Sequence, residues 1–462
     1  MSIKLTELPY QRDSASLFTA IAQEPWSVFL DSGYPKIDSG RYDIITSRPI
    51  ITLTTVNQET TIHFADGAEE KSQDDPFALV KQHLGEQREN LSGLPFCGGA
   101  LGYFSYDLGR SIERIPVTAK QDINLPDMAI GIYDWAVLVD HHQRRTWLVS
   151  YLTSEDTLAN WQELVKLFQG GSNRSPVNFS PSSKIVSNMD KAAYGRAFDK
   201  IQHYIREGDC YQVNLAQRYM VDVSGSPWDA YLRLRKLNPA PFAAFMNVPG
   251  GSILSSSPER FLKVTNDIVE TKPIKGTRRR SSYAYEDKAL AVELLENEKE
   301  RAENLMIVDL LRNDLGKTCI TGSVSVPKLF ALETYATVHH LVSTITGRIK
   351  PNRHVLDLLR GCFPGGSITG APKLRSMEII EELEPHRRSV YCGSIGYIGF
   401  DRNMDCNIAI RTLVYSDNKM YCWAGGGITV ASNMDAEYQE CYIKAAALLQ
   451  LMEFGNLKDM AG

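Results

Sequence analysis

Ile408-Ala-Ile-Arg-Thr-Leu-Val-Tyr-Ser-Asp-Asn-Lys-Met-Tyr-Cys-Trp-Ala-Gly-Gly-Gly-Ile428 is the stretch on which the fold turns. Two runs rich in β-branched and aromatic residues, Ile408–Tyr415 and Met420–Trp423, flank Ser416-Asp417-Asn418. That order predicts two strands joined by a tight turn, with Gly425-Gly426-Gly427 ending the second. The period then changes. Over Asp435–Met452, residues Tyr438, Cys441, Tyr442, Ala445, Leu448, Leu449 and Met452 share one face, as in a helix.

The same two periods alternate upstream. Strands are expected at Ser27–Leu30, Tyr42–Thr46, Ile51–Val56, Ala129–Val139, Thr146–Leu152 and Tyr391–Phe400. Helices are expected at Pro76–Gln87 and Thr157–Phe168, and around Tyr194, Phe198, Ile201 and Ile205 with Gly208 as the stop. Further helices are expected at Asp287–Leu295, at Glu298–Leu315 (stopped by Gly316) and at Pro372–Leu383 (opened by its proline). The pattern is that of an α+β protein with large antiparallel sheets flanked by helices. A Gly/Ser/Pro-rich stretch from Gly170 to Ser183 reads as a linker. It divides a β-rich region, 1–183, from a second region, 184–462.

Composition narrows the function. The 462 residues carry 50 Lys and Arg against 55 Asp and Glu, a net charge of −5. That balance argues against a protein that holds nucleic acid or a membrane by bulk charge. No apolar run approaches the ~18 residues of a membrane span. The start, Met-Ser-Ile-Lys-Leu-Thr-Glu-Leu, lacks the basic and apolar regions of a secretory signal. The eight cysteines are scattered, without C-x-x-C or zinc-finger spacing. A cytoplasmic enzyme with reduced, buried thiols is expected.

Several motifs could carry chemistry. Glu300 with Glu303, and Glu437 with Glu440, are spaced i, i+3, so each pair projects from one helix face. Two such faces brought together suit a hard divalent cation. E-x-x-E is common on solvated helices, and Glu440–Lys444 has ordinary ion-pair spacing, so for each pair alone spacing favours the solvated reading over the metal. Phe363-Pro-Gly-Gly-Ser-Ile-Thr-Gly-Ala-Pro-Lys373 is not a phosphate loop, because Ala371 and Pro372 separate its glycine from its lysine. It still sets backbone N–H groups before a helix N-terminus. Lys275, between Ile274 and Gly276, could be a sheltered amine nucleophile or a surface lysine. Glu259, beside Phe261, could be a general acid or a salt-bridge partner of Arg260 or Lys263.

Taken together and in order, these pieces resemble the chorismate-utilising enzymes, a family that includes anthranilate, isochorismate, salicylate and aminodeoxychorismate synthases. The matching stretches are SPERF (257–261), PIKGT (273–277), RAENLMIVDLLRNDLG (301–316), VHHLVSTI (338–345), FPGGSITGAPK (363–373), YCGSIGY (391–397), IAIRT (408–412), AGGGI (424–428) and AEYQE (436–440). SRPI (47–50) and GGALGYFSYDLGR (98–110) extend the likeness into the first region. The resemblance implies the family's two-layer β-sandwich, as in anthranilate synthase, with both regions packed as one unit. Isochorismate and salicylate synthases carry a water-activating Lys where this chain has Gln212, so water addition is disfavoured. Anthranilate synthase reads P-I-A-G-T where this chain reads PIKGT, and the aminodeoxychorismate branch has Lys there. The resemblance therefore points to that branch's first component, with anthranilate synthase as the alternative.

Carried over position by position, the resemblance implies Mg²⁺ held by Glu303 and Glu440, with Glu300 and Glu437 acting through water. Arg411, Tyr391 and the N–H groups of Gly425, Gly426 and Gly427 would hold chorismate carboxylates, with help from Lys444. Thr369, Gly370 and His340 would line the ring pocket. Lys275 would attack C2 and Glu259 would protonate the departing 4-hydroxyl. The chain has no G-x-C-x-G elbow, so ammonia is expected from a glutamine amidotransferase partner. Relatives hold tryptophan in the N-terminal region. The resemblance places such a pocket at Ser32 and Tyr42, where Asp31-Ser32-Gly33-Tyr34 departs from the L-E-S-type segment of anthranilate synthase.

Overall fold

The computed structural model describes residues 3–37, 40–170, 178–334 and 338–453. Among these residues the strands form two antiparallel sheets, of 13 and 12 strands. The first runs in the order Lys4–Leu8, Arg145–Ser150, Trp135–Asp140, Tyr42–Thr46, Val28–Asp31, Phe242–Val248, Gly251–Ser257, Thr412–Ser416, Lys419–Ile428, Gln212–Ser224. Short strands at Ser180–Pro181, Val186–Ser187 and Gly370–Ala371 pair with the last of these. The second runs Ile274–Arg279, Val338–Arg348, Ile268–Thr271, Arg260–Thr265, Met404–Asn407, Ser394–Gly399, Gly99–Phe104, Met128–Tyr133, Ile51–Val56, Glu59–Phe64, Glu69–Ser72, with Ser325–Thr334 beside Val338–Arg348. Buried side chains of both sheets, such as Phe29, Leu53, Tyr103, Val137 and Leu254, belong to one apolar core. This is the expected α+β sandwich.

Both sheets mix strands from either side of residue 183. Val28–Asp31 pairs with Phe242–Val248, and Gly99–Phe104 pairs with Ser394–Gly399. Residues 171–177 of the expected linker lie outside the described residues, and Ser180–Pro181 at its end is already a strand. All eight cysteines are free and buried. Among the described residues no helix is long and apolar enough to cross a membrane.

Several boundaries differ from expectation for physical reasons. The run 129–139 is not one strand. It breaks at Asp134, where the chain leaves one sheet at Tyr133 and enters the other at Trp135. The buried Asp134 carboxylate accepts from the N–H groups of Thr153 (2.8 Å) and Ser154 (3.1 Å). Unbroken burial on both sides hides this joint from any periodicity argument. Gly316 does not stop its helix, which runs Glu298–Thr318, because Leu315 and Thr318 are buried there and packing outweighs the glycine. Pro372 is the N-cap of Lys373–Leu383 and not its first helical residue. Thr157–Phe168 is split at Asn160.

The most consequential difference is at the glycines. Gly425–Gly427 do not end a strand; they lie inside Lys419–Ile428, opposite Ala216, Leu215 and Asn214. A Cβ at Gly425 would stand 2.4 Å from the carbonyl oxygen of Leu215, so only glycine permits this pairing. On the other edge, pairing with Thr412–Ser416 stops at Cys422. From Trp423 onward, alternate N–H groups on that edge fall outside the ladder.

Candidate active site

The two helices bearing the glutamate pairs, Glu298–Thr318 and Met434–Met452, approach one cavity of about 1750 Å³. Glu300, Glu303, Glu437 and Glu440 all line it. Burial raises the Glu303 carboxyl above its ordinary range, and neighbouring Glu300 and Glu437 push it the same way. Glu437 is also raised, by burial first and by Glu440. Burial pushes Glu440 upward too, but the ammonium of Lys444, 2.7 Å away, outweighs it and leaves the group below its ordinary value. Each carboxylate already has a partner: Arg278 (3.5 Å) for Glu300, Lys299 (3.8 Å) for Glu303 and Ser432 (2.6 Å) for Glu437. Among the described residues, no three His, Cys, Asp or Glu side chains are gathered into a metal-sized cluster. Four carboxylates around an opening, with two of them resisting ionisation, still fit a hard cation that keeps waters and takes substrate oxygens.

Lys275 extends from Ile274–Arg279, a strand bulged between Ile274 and Thr277. Gly276 has φ +84° at this bulge, and a Cβ there would meet Glu300 Oε2 at 3.1 Å. The residue brings strand and glutamate helix together at the bend. Lys275 Nζ donates to the carbonyl oxygen of Ser367 at 3.2 Å. Its charged neighbours include Glu259, Glu303 and Glu440. Glu259 is buried, and burial raises its carboxyl even though Lys275 opposes it. The Ser367 hydroxyl donates to Glu259 Oε1 at 2.9 Å. Both Glu259 and Lys275 line the cavity.

The remaining candidates divide. Arg411, Tyr391, His340, Lys444, Gly425 and Gly427 line the same cavity. Arg411 sits at φ +52°, uncommon for a residue with a side chain, immediately before its strand begins. Burial lowers its guanidinium below the ordinary value. Burial likewise lowers His340, whose Nδ1 is 2.9 Å from the Thr277 hydroxyl. Gly426 turns toward the carboxylates of the last helix: a Cβ there would stand 2.8 Å from Glu437 Oε2. Thr369 and Gly370 sit behind Ser367 and Ile368, not on the surface of the cavity. The Thr369 hydroxyl is buried and donates to the Gly365 carbonyl at 3.1 Å, and Gly370 packs on the Gln212 carbonyl. Gln212 is buried, and both polar atoms of its side chain lack a partner. Ser32 and Tyr42 line the cavity as well, beside Asp31 and Ile44. The Ser32 hydroxyl is committed to Asp43 at 2.7 Å.

Sequence reasoning missed Ser367 and Arg388. Arg388 is fully buried, pairs with Glu384 at 2.6 Å, and donates to the carbonyl oxygens of Ile368 (3.0 Å) and Asn214 (2.8 Å). Its one sequence signal was the pair Arg387-Arg388 between Pro385 and Val390.

Glu259, Glu300, Glu303, Glu437 and Glu440 thus share one cavity wall with Lys275 and Lys444. The chain belongs to the chorismate binding enzyme family, whose model matches residues 33–450. Aminodeoxychorismate synthase component 1 of Escherichia coli (strain K12) is 47% identical over 460 residues, covering 98% of this chain and 99% of that protein. Anthranilate synthase component 1 of Acetivibrio thermocellus is 36% identical over 455 residues, covering 95% and 92%. Among solved structures, anthranilate synthase component I from Streptococcus pneumoniae TIGR4 has a TM-score of 0.78 and 32% identity, over 90% of this chain and 93% of that one.

Proposed function

We propose that this chain is the chorismate-aminating component of an aminodeoxychorismate synthase, converting chorismate and ammonia to 4-amino-4-deoxychorismate and water on the way to 4-aminobenzoate and folate. The observation that carries the reading is Lys275, which stands in the cavity beside Glu259 and the four glutamates, where the anthranilate synthase pattern has alanine. The 47% identity to a protein of that name supports it over the anthranilate alternative.

Arg411 and Tyr391, with Lys444 and the unladdered N–H groups near Gly425–Gly427, bind and orient the substrate carboxylates. His340 packs against the ring side of the cavity, with Thr369 and Gly370 supporting the wall from behind. Lys275 Nζ, its proton passed to solvent, forms a bond to C2. The ring double bond shifts and the C4–O bond breaks. Glu259 transfers its proton to the leaving hydroxyl, which departs as water. Ammonia then forms a bond to C4, the double bond shifts back, and the C2–N bond to Lys275 breaks; the new C4 ammonium returns one proton to Glu259, and the freed Lys275 amine takes one from solvent. Two displacements give net substitution with retention. Gln212 has no titratable base to offer water, so C2 hydration is suppressed. Glu303 and Glu440 directly, and Glu300 and Glu437 through water, would hold Mg²⁺. When bound it supplies positive charge to a substrate carboxylate and relieves the repulsion among the four glutamates.

The ammonia comes from a glutamine amidotransferase partner, since the chain has no nucleophile elbow of its own. A cytoplasmic setting suits its eight free thiols. Ser32 and Tyr42 offer a tryptophan pocket in the N-terminal region. The deciding experiment incubates the purified chain with chorismate, Mg²⁺ and an ammonium salt and identifies the product by NMR. The expected product is 4-amino-4-deoxychorismate; anthranilate as the main product would overturn the reading.

A further inference from the structure

Ser367 is the only residue given hydrogen bonds to both Lys275 and Glu259 among the described residues. Its hydroxyl donates to Glu259 Oε1 at 2.9 Å, and its carbonyl accepts from Lys275 Nζ at 3.2 Å. It is 7% exposed and lies on the cavity wall. The turn that carries it, Gly366–Ile368, is fixed on both sides. Gly366 is pressed against Leu310, whose Cδ2 would lie 1.9 Å from a Cβ at that position. The Ile368 carbonyl accepts from Arg388, which the buried Glu384 carboxylate holds in turn.

We propose that Ser367 is a positioning residue that sets the geometry of the acid and the nucleophile together, directing the acidic proton of Glu259 to Oε2 and the lone pair of Lys275 into the cavity. This rests on the roles given to Glu259 and Lys275 above. A neutral carboxylic acid has one acceptor oxygen and one O–H. With the Ser367 hydroxyl donating to Oε1, Oε1 is the acceptor and the proton resides on Oε2. When the Oε2–H bond breaks and its proton passes to the leaving hydroxyl, the carboxylate left behind keeps the Ser367 donor, now a stronger charge-assisted bond. The same residue's carbonyl takes one N–H of Lys275, so the amine cannot turn its lone pair toward that wall. The other ionisable groups felt by Glu259 are Lys275, Lys444 and Cys392. Among the described residues, only Ser367 donates a side-chain hydrogen bond to its carboxylate.

The test compares wild type, Ser367→Ala and Ser367→Thr, each checked for fold by circular dichroism and thermal melting. Ammonium serves as the nitrogen source. For Ser367→Ala the expected result is a kcat loss of roughly tenfold to a hundredfold, a fraction of the whole effect of a general acid. KM for chorismate should change by less than about threefold, because uniform binding is untouched. The high-pH limb of the kcat profile should move to higher pH, since the lost bond favoured the carboxylate. Ser367→Thr, which keeps a hydroxyl, should restore both rate and profile. A folded Ser367→Ala with wild-type kcat and profile overturns the proposal. So does a rate loss without movement of the profile, or one that threonine fails to rescue, because either outcome makes Ser367 a wall residue. Failure of the wild type itself to form 4-amino-4-deoxychorismate strikes the proposed function instead, which keeps the two readings separable.

Discussion

At the scale of single residues, Lys275 as the proposed nucleophile would decide which bond is made. Lys275→Ala leaves the glutamates and Arg411 in place, so chorismate should still bind. Amination at C4 should fall sharply, and product should shift toward the 2-amino compound or anthranilate, read by NMR. Lys275→Arg should fail as well, because a guanidinium stays protonated and cannot attack. Intact-protein mass spectrometry of quenched wild type should find a chorismate-derived adduct on Lys275, and its absence would remove the covalent step. Glu259 predicts the pH dependence. Its carboxyl is raised by burial, and as a general acid it works protonated, so kcat should fall as pH rises through that elevated value. Glu259→Gln should cost on the order of 10²–10⁴-fold and erase that limb. These residues were legible as types in sequence. The charges around them were not: Lys275 lies among carboxylates contributed by three distant segments, which no local spacing can show.

At the scale of elements, the glycine strand and the Arg388 anchor make separable predictions. A Cβ at Gly425 meets backbone, whereas a Cβ at Gly426 meets the end of the Glu437 side chain. Gly425→Ala should therefore lower the melting temperature, while Gly426→Ala should fold and instead raise the Mg²⁺ concentration needed for half-maximal rate. Equal Mg²⁺ dependence in Gly426→Ala and wild type would detach Glu437 from the metal. Arg388→Met leaves Glu384 buried and unpaired, a loss of about 3–5 kcal/mol by chemical denaturation. The elements themselves were read unevenly from sequence. Amphipathic helices such as Lys191–Arg206 carry their period openly, because one face meets water. Gly99–Phe104 is buried along its whole length, so it lacks alternation and passes unnoticed despite its central place in a sheet. The Asp134 joint was invisible for the same reason.

At the scale of the whole molecule, the two regions share their sheets, so fragments 1–183 and 184–462 should not fold alone. Each should lack cooperative unfolding, while the intact chain shows it; a cooperative transition in either fragment would contradict the interleaving. The purified chain should aminate chorismate with ammonium salts and stay inactive with glutamine until an amidotransferase subunit is added. The shared sheets also have a consequence in time. Gly99–Phe104 pairs early with Met128–Tyr133 but finds its second neighbour only when Ser394–Gly399 has been made. At roughly 5–20 residues per second, the earlier strand waits on the order of 15–60 s on the ribosome with an edge bare. Throughout that interval the nascent chain displays one unpaired edge of an apolar strand, which makes it a customer for whatever shields emerging polypeptides.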